Sequence, residues 1–268
     1  MIYLMSDIHG CYKEYQELLE KIKFSDSDEL YILGDVVDRG PEPMKVLKDM
    51  MMRPNVYPIL GNHDYMALTT LKKFNVEIRE DNVETHLTQK DILDYFHWKE
   101  DGGSTTIEGF QKLSKEEKKD VIEYLEEFSI YEEIILNGKR YICTHADIHG
   151  ACDEKKLEEH HFSHFVFYRA DYDRRYYSDK NVFIVTGHTP TMLLNQDGSA
   201  KVFEQNGHIA IDCGCVYGKR LAAYCLNDGS VTYVEAGNRK NEKSPVAKRK
   251  ATRDFCVSLF NSEIFFVL

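Results

Sequence analysis

Gly34-Asp35-Val36-Val37-Asp38-Arg39-Gly40 decides how this chain is read. It follows Glu29-Leu-Tyr-Ile-Leu33, an apolar run whose Tyr and Ile favour a buried strand, and precedes Pro41, which suits the first turn of a helix. A strand, a glycine-flanked acidic loop and a helix start together deliver side chains to the open edge of an α/β sheet, where ligands bind. Asp35 leaves the strand end as a potential metal ligand. Arg39, four residues on, can hold an anion beside it.

Asp and Gly are ordinary turn residues, so one such loop carries little. Here the arrangement recurs. Met1-Ile-Tyr-Leu-Met5 ends in Ser6-Asp7-Ile8-His9-Gly10, and Val56-Tyr-Pro-Ile-Leu60 ends in Gly61-Asn62-His63-Asp64. Arg140-Tyr-Ile-Cys143 ends in Thr144-His145-Ala146-Asp147, and Val182-Phe-Ile-Val185 ends in Thr186-Gly187-His188-Thr189. Asp7, Asp35 or Asn62 taken singly could merely cap a helix. Taken with the motif histidines, they point to a metal site assembled from strand ends.

The 268 residues, 43% of them hydrophobic, suffice for one large α/β domain with its own core. Asp and Glu number 45 against 34 Lys and Arg, a formal charge of −11, which argues against nucleic-acid or acidic-membrane partners. The N-terminal apolar run breaks at Asp7, with no signal peptide or spanning segment evident, so a cytoplasmic protein is expected. The seven cysteines, odd in number and scattered, read as reduced, mostly buried thiols. Cys213 and Cys215 would share a face if extended, but a lone C-x-C lacks the second pair of a structural zinc site.

Cys11 to Lys23 carries apolar residues at helical spacing. Strand and helix then alternate through Glu29–Leu33, Pro41–Met52, Asn55–Leu60 and Asp64–Lys73, which predicts a mostly parallel sheet. Residues 74–130, approximately, form a charged helical insertion with Trp98, the loop Asp101-Gly-Gly, and a capping-box signal at Ser114 and Glu117. It covers one side of the sheet, as a packing layer or as part of the site's mouth. Asn137-Gly138 joins two strands as a hairpin. Asp153 to Phe165 reads as a helix whose His160, His161 and His164 lack the acid of an H-E-x-x-H motif and read as a packed or solvated face. Short strands beyond His188 predict a second, largely antiparallel sheet. The expected fold class is therefore α/β, a two-sheet β-sandwich flanked by helices, over residues 1–237. Residues 238–268 read as a basic then apolar extension, too short in its apolar part to span a membrane.

The strand-end set is Asp7, His9, Asp35, Asn62, His145 and His188. Carboxylate, amide and imidazole together suit borderline divalent ions such as manganese, iron or zinc. Six ligands exceed the needs of one catalytic ion, whereas two ions roughly 3.5–4 Å apart with Asp35 as the bridge would use them all. Such a pair activates water for in-line displacement at phosphorus. The leaving oxygen then needs a proton. His63 is placed to give it, with the neighbouring Asp64 orienting the imidazole, and Arg39 is placed to bind phosphate oxygens.

These motifs resemble those of the metallophosphoesterases, and within them the phosphoprotein phosphatases that include bacterial and phage members. The family pattern G-D-x-H-G, G-D-x-V-D-R-G, G-N-H-[DE], H-[AG]-G and G-H-T matches Asp7 to Gly10, Gly34 to Gly40, Gly61 to Asp64, His145-Ala146 and Gly187 to Thr189 in order, across roughly the first 235 residues. The resemblance implies Asp7, His9 and Asp35 on one metal, and Asp35, Asn62, His145 and His188 on the other. It implies His63 and Asp64 as the acid and its orienter, Arg39 and Arg169 as phosphate ligands, and Tyr217 near the mouth. Ser6 and Asp147 depart from the family glycines, and Asp147 brings an extra charge towards the metals.

The expected activity is that of a dinuclear-metal phosphomonoesterase, foremost a serine/threonine protein phosphatase acting by direct attack of metal-activated water. Its substrate would be a phosphoprotein or a small phosphoester. The alternative is a dinucleoside-polyphosphate (diadenosine tetraphosphate) or nucleotide hydrolase. Asp38 before Arg39 favours the phosphatase, because symmetrical diadenosine tetraphosphatases usually carry another residue there. A non-catalytic metal-binding scaffold is a third reading; the His63-Asp64 pair argues against it.

Overall fold

A computed structural model describes residues 1–75 and 87–237. His86 and the extension expected over 238–268 lie outside the described residues. The decisive apolar run forms β2 (Glu29–Leu33), flanked by β1 (Ile2–Met5) and β3 (Val56–Ile59), all parallel. Between them run α1 (Tyr12–Lys21) and α2 (Pro43–Met51), and α3 (Asn62–Phe74) follows β3. Pro43 opens α2, where its missing N–H has no helical partner to lose.

The second sheet begins with the expected hairpin, β4 (Tyr131–Leu136) and β5 (Lys139–Thr144). Asn137 and Gly138 turn it with φ of 51° and 74°, the left-handed pair a tight hairpin needs. After α7 (Phe162–Phe167) come β6 (Val182–Thr186), β7 (Phe203–Gln205) and β8 (His208–Ala210), in the order β4-β5-β6-β8-β7. β6 pairs parallel with both β5 and β8, so this sheet is mixed where sequence predicts it largely antiparallel. The long β5–β6 connection through α7 is the kind of crossover a parallel pairing requires. The last strands, β9 (Arg220–Cys225) and β10 (Val231–Glu235), join the first sheet instead, with β9 antiparallel to β1.

Alternation along each strand divides the core. Leu4, Leu33, Cys143 and Val185 point between the sheets, where Ile59, Ile134, Ile209 and Ile211 meet them. Their neighbours Met5, Ile32, Ile142 and Ile184 point to the helical layers. Burying each such side chain is worth about 1.5–3 kcal/mol, so the sandwich holds its strand ends firmly.

The insertion forms α4 (Gln89–Trp98), α5 (Ser104–Gln111) and α6 (Lys115–Glu126). Glu117 N–H donates to Ser114 Oγ at 3.2 Å and Ser114 N–H to Glu117 Oε2 at 2.8 Å, completing the capping box of α6. Trp98, Ile107, Phe110, Val121 and Leu125 are buried with the core residues of α2 and α3. Asp153–Phe165 is not one helix: a 3₁₀ turn spans Leu157–Glu159 and α7 starts only at Phe162. His160 and His164 are therefore not residues of one helix, although their rings still meet edge-on at 6.1 Å. Among the described residues no helix is long and apolar enough to cross a membrane.

Candidate metal centre

The loops after β1, β2, β3, β5 and β6 converge at one edge of the sandwich and are sewn together by backbone. Asp7 N–H donates to Gly34 O at 3.0 Å, His9 N–H to Asp35 O at 2.8 Å, and Gly187 N–H to His145 O at 2.9 Å. This proximity explains two motif glycines: a Cβ on Gly61 would lie 2.3 Å from Asp35 Oδ1, and one on Gly187 would lie 2.3 Å from Asp7 Oδ2. Asp7, His9, Asp35, Asp38, Arg39 and His188 all have positive φ, between 45° and 70°. Left-handed backbone at a non-glycine residue costs about 1–3 kcal/mol, so a packed scaffold must enforce it.

The six expected ligands come together. His9 Nδ1 donates to Val37 O at 2.8 Å, which leaves Nε2 as the lone pair, 3.4 Å from Asp35 Oδ2. His145 Nδ1 donates to Leu33 O at 2.9 Å, and its Nε2 lies 3.5 Å from Asp35 Oδ1. His145 Nε2 and His188 Nδ1 stand 3.1 Å apart, each 3.0 Å from Asn62 Oδ1. Asp7 Oδ2 accepts from Ser6 Oγ at 2.7 Å and from His188 N–H at 3.0 Å. Among the described residues Asp35 belongs to two of the three groups of converging donor atoms, one with His9 and His63, the other with His145 and His188. That is the position of a bridge.

Burial dominates the electrostatics. It holds the His145 imidazole down at about 3, and His9 and His188 also lie well below their ordinary range, so their facing nitrogens are lone pairs at neutral pH. It pushes Asp7 and Asp35 well up, helped for Asp7 by Asp212 and for Asp35 by Asp7 and Asp64. Lone pairs facing one another and carboxylates crowded in a dry site are the pattern that bound cations reverse. The donor chemistry fits borderline divalent ions.

His63 lies beside this cluster, its ring 4.9 Å from that of His9 and edge-on to it. Its Nδ1 donates to Asp38 Oδ2 at 2.7 Å, while Nε2 accepts from Arg39 Nη2 at 2.6 Å. Asp38 is wholly buried, and also accepts from Trp98 Nε1 at 2.7 Å and Thr106 Oγ1 at 2.5 Å. Arg39 Nη1 donates to Tyr217 Oη at 2.9 Å and to His9 Nε2 at 3.0 Å. Asp101 of the insertion places its two carboxylate oxygens 3.5 Å from Arg39 Nη2 and from His63 Nε2.

The sequence model of the calcineurin-like phosphoesterases matches residues 1–234. The chain belongs to that family. It is 40% identical over 99 residues to a symmetrical bis(5′-nucleosyl)-tetraphosphatase of Buchnera aphidicola subsp. Schizaphis graminum, covering 36% of each chain. The chain thus spans about a third of the length of such curated relatives. It is 28% identical over 251 residues to the asymmetrical bis(5′-nucleosyl)-tetraphosphatase PrpE of Oceanobacillus iheyensis, covering 82% of this chain and 86% of that one. A crystal structure of a candidate diadenosine tetraphosphatase superposes with a TM-score of 0.61 at 21% identity, over 89% of this chain and 94% of that one. A protein serine/threonine phosphatase from Saccharomyces cerevisiae does so at 0.51 and 15%, over 90% and 82%. At these identities the two structures show the shared fold alone.

Two sequence readings of the site need correction. Asp64 does not hold the His63 ring. The two are consecutive in α3, and residues i and i+1 of a helix do not face each other. Asp64 instead accepts from the N–H groups of Gly61, Val36 and Val37 at 3.1, 3.0 and 3.3 Å, tying the third loop to the second. Asp147 is likewise turned away from the ligands, accepting from Tyr176 Oη at 3.0 Å. Ser6, the other departure, supplies a hydrogen bond to Asp7. Arg169 reaches the edge of the centre, where Nη1 donates to Thr189 Oγ1 at 3.4 Å.

Sequence reasoning missed Asp38 as the partner of His63, Trp98 and Thr106 as its supports, and buried Asp212 beside Asp7. Asp38 had a signal: it stands in the same motif as Asp35, on a loop that must curl back towards the centre. Trp98 and Thr106 had none, because the insertion's distance from the motifs hides their contact.

Proposed function

We propose that this phosphoesterase hydrolyses dinucleoside tetraphosphates, and that it cleaves them asymmetrically, into a nucleoside triphosphate and a monophosphate. The support is that both curated relatives are named bis(5′-nucleosyl)-tetraphosphatases, and that the asymmetrical one aligns over most of the chain whereas the symmetrical one aligns over about a third of it. The serine/threonine phosphatase reading loses its argument from Asp38. That carboxylate is engaged by His63, Trp98 and Thr106, so it serves the proton donor and does not report the substrate. Residues 1–237 are taken as the catalytic domain, with the 238–268 extension outside it.

Asp7, His9 and Asp35 would hold one divalent ion, and Asp35, Asn62, His145 and His188 the other, manganese being the first candidate. When bound, such ions supply water activation and charge neutralisation at phosphorus. Arg39 is held as a fork by Tyr217 Oη and the Asp101 carboxylate, and presents its donors to phosphate oxygens. As Arg39 turns to phosphate, His63 Nε2 is released to carry the proton to the leaving oxygen. Asp38 keeps Nδ1–H fixed and stabilises the imidazolium. Trp98 and Gly103 close the back of Asp38, since a Cβ on Gly103 would come 2.6 Å from the Trp98 ring.

The test is initial rates of manganese-loaded protein on diadenosine tetraphosphate and on a phosphoserine peptide, with products separated by chromatography. ATP plus AMP formed faster than peptide phosphate supports the reading. Peptide turnover with the dinucleotide left intact would end it. Two ADP would restrict the failure to the position of cleavage.

A further inference from the structure

Two aromatic side chains, His149 on the loop after His145 and Tyr168 next to Arg169, have no place in the chemistry above. The His149 side chain is 64% exposed, and its ring lies 5.5 Å from that of Tyr168, tilted to it by 33°. His164 meets Tyr168 edge-on at 4.9 Å and His149 edge-on at 5.5 Å, bracing both rings from α7. Burial, then the neighbouring histidines, pushes His164 down to about 4, so the brace is a neutral ring at pH 7. The pair is tied closely to the metal centre. Ala146 N–H donates to Phe165 O at 2.8 Å and Asp147 N–H to His164 O at 3.2 Å, anchoring α7 to the loop that carries His145. Tyr168 is followed at once by Arg169, which reaches Thr189 beside His188.

A half-exposed, braced aromatic pair next to an arginine at the edge of a phosphate site has the chemistry that recognises a nucleotide: a π-face for the base and a cation for its phosphates. We infer that Tyr168 and His149 form a stacking shelf for one nucleobase of a dinucleoside polyphosphate. The inference rests on the proposed function for its substrate class. The shelf is a binding element and moves no proton. Stacking of one base is worth about 1–3 kcal/mol, which is roughly 5–150-fold in affinity.

The experiment pairs kinetics with a spectroscopic probe on the full metal-loaded chain. Tyr168→Ala is expected to raise KM for diadenosine tetraphosphate about tenfold with kcat little changed, to leave turnover of base-free β-glycerophosphate as in the parent protein, and Tyr168→Phe to restore the parent KM. Etheno-ADP, whose base fluorescence is quenched by stacking, should be quenched by the parent protein and by Tyr168→Phe, and much less by Tyr168→Ala or His149→Ala. Equal KM and equal quenching in parent and alanine variants would overturn the shelf while leaving the function standing. Absence of dinucleotide turnover in the parent protein would overturn the function. The quenching alone then decides the shelf, which stands if the signal depends on Tyr168 and falls if it does not.

Discussion

Replacing Asp38 by Asn separates the proton donor's support from the rest of the site. The exchange keeps the shape and removes the charge that His63 Nδ1 meets at 2.7 Å, in a position with no solvent exposure. Charge-assisted hydrogen bonds contribute about 1.5–3 kcal/mol, so protonation of the leaving oxygen should slow about 10–150-fold. The loss should appear in kcat, because His63 acts in the transition state, with KM nearly unchanged. It should also depend on the leaving group. An alkyl phosphate needs the proton and should slow about a hundredfold, whereas p-nitrophenyl phosphate, whose leaving oxygen is stable as an anion, should slow less than about tenfold. Steady-state rates of parent, Asp38→Asn and Asp64→Asn proteins on both esters provide the assay. Asp64→Asn should mainly lower Tm, since Asp64 binds backbone N–H groups. An Asp38→Asn defect equal on both esters, or a leaving-group-dependent defect in Asp64→Asn, would refute the assignment.

Tyr217→Phe removes one partner of Arg39, worth about 1 kcal/mol, so kcat/KM should fall about fivefold at unchanged Tm; an unchanged kcat/KM would show that Tyr217 does not aim Arg39. Gly102→Ala places a Cβ 2.5 Å from Arg39 Cγ on backbone at φ 119°, and should cost both about 1–3 kcal/mol of stability and much of kcat/KM; wild-type kinetics would show that the insertion merely packs. His208 is buried, donates to Arg174 O through Nε2 and has its pKa pushed down by burial. The unfolded chain therefore binds this proton first, and stability present above about pH 6.5 should fall as pH drops towards about 5. Thermal melts should show a shallower acid slope for His208→Gln than for the parent protein. Truncation after Gly237 should leave turnover intact, and a folded, metal-loaded but inactive product would place the extension in the site.

The three parallel strands of the first sheet and the convergence of the six metal-ligand candidates were legible because each rests on local rules: apolar runs end in Asp, Asn or His, and glycines mark where loops meet. The partners of the later strands were not legible. The continuous apolar run Leu221–Cys225 records that the strand is buried, and nothing in it distinguishes β1 from the second sheet as its neighbour. Adjacency in sequence misled at His63 and Asp64, since the first turn of α3 points consecutive side chains in different directions. Asp38 is 25 residues away and meets the ring directly. The contact of Trp98 with Asp38 depends on how the insertion folds back, a tertiary matter that composition and periodicity do not encode.

The most direct test of the dinuclear account is a titration of metal-free protein with manganese, following turnover and the Mn(II) paramagnetic resonance together. The donor geometry around Asp35 predicts that activity reaches its plateau at about two equivalents, with a spin-coupled signal that Asp35→Asn abolishes along with turnover. Full activity at one equivalent, with an isolated-ion spectrum unaffected by Asp35→Asn, would contradict it.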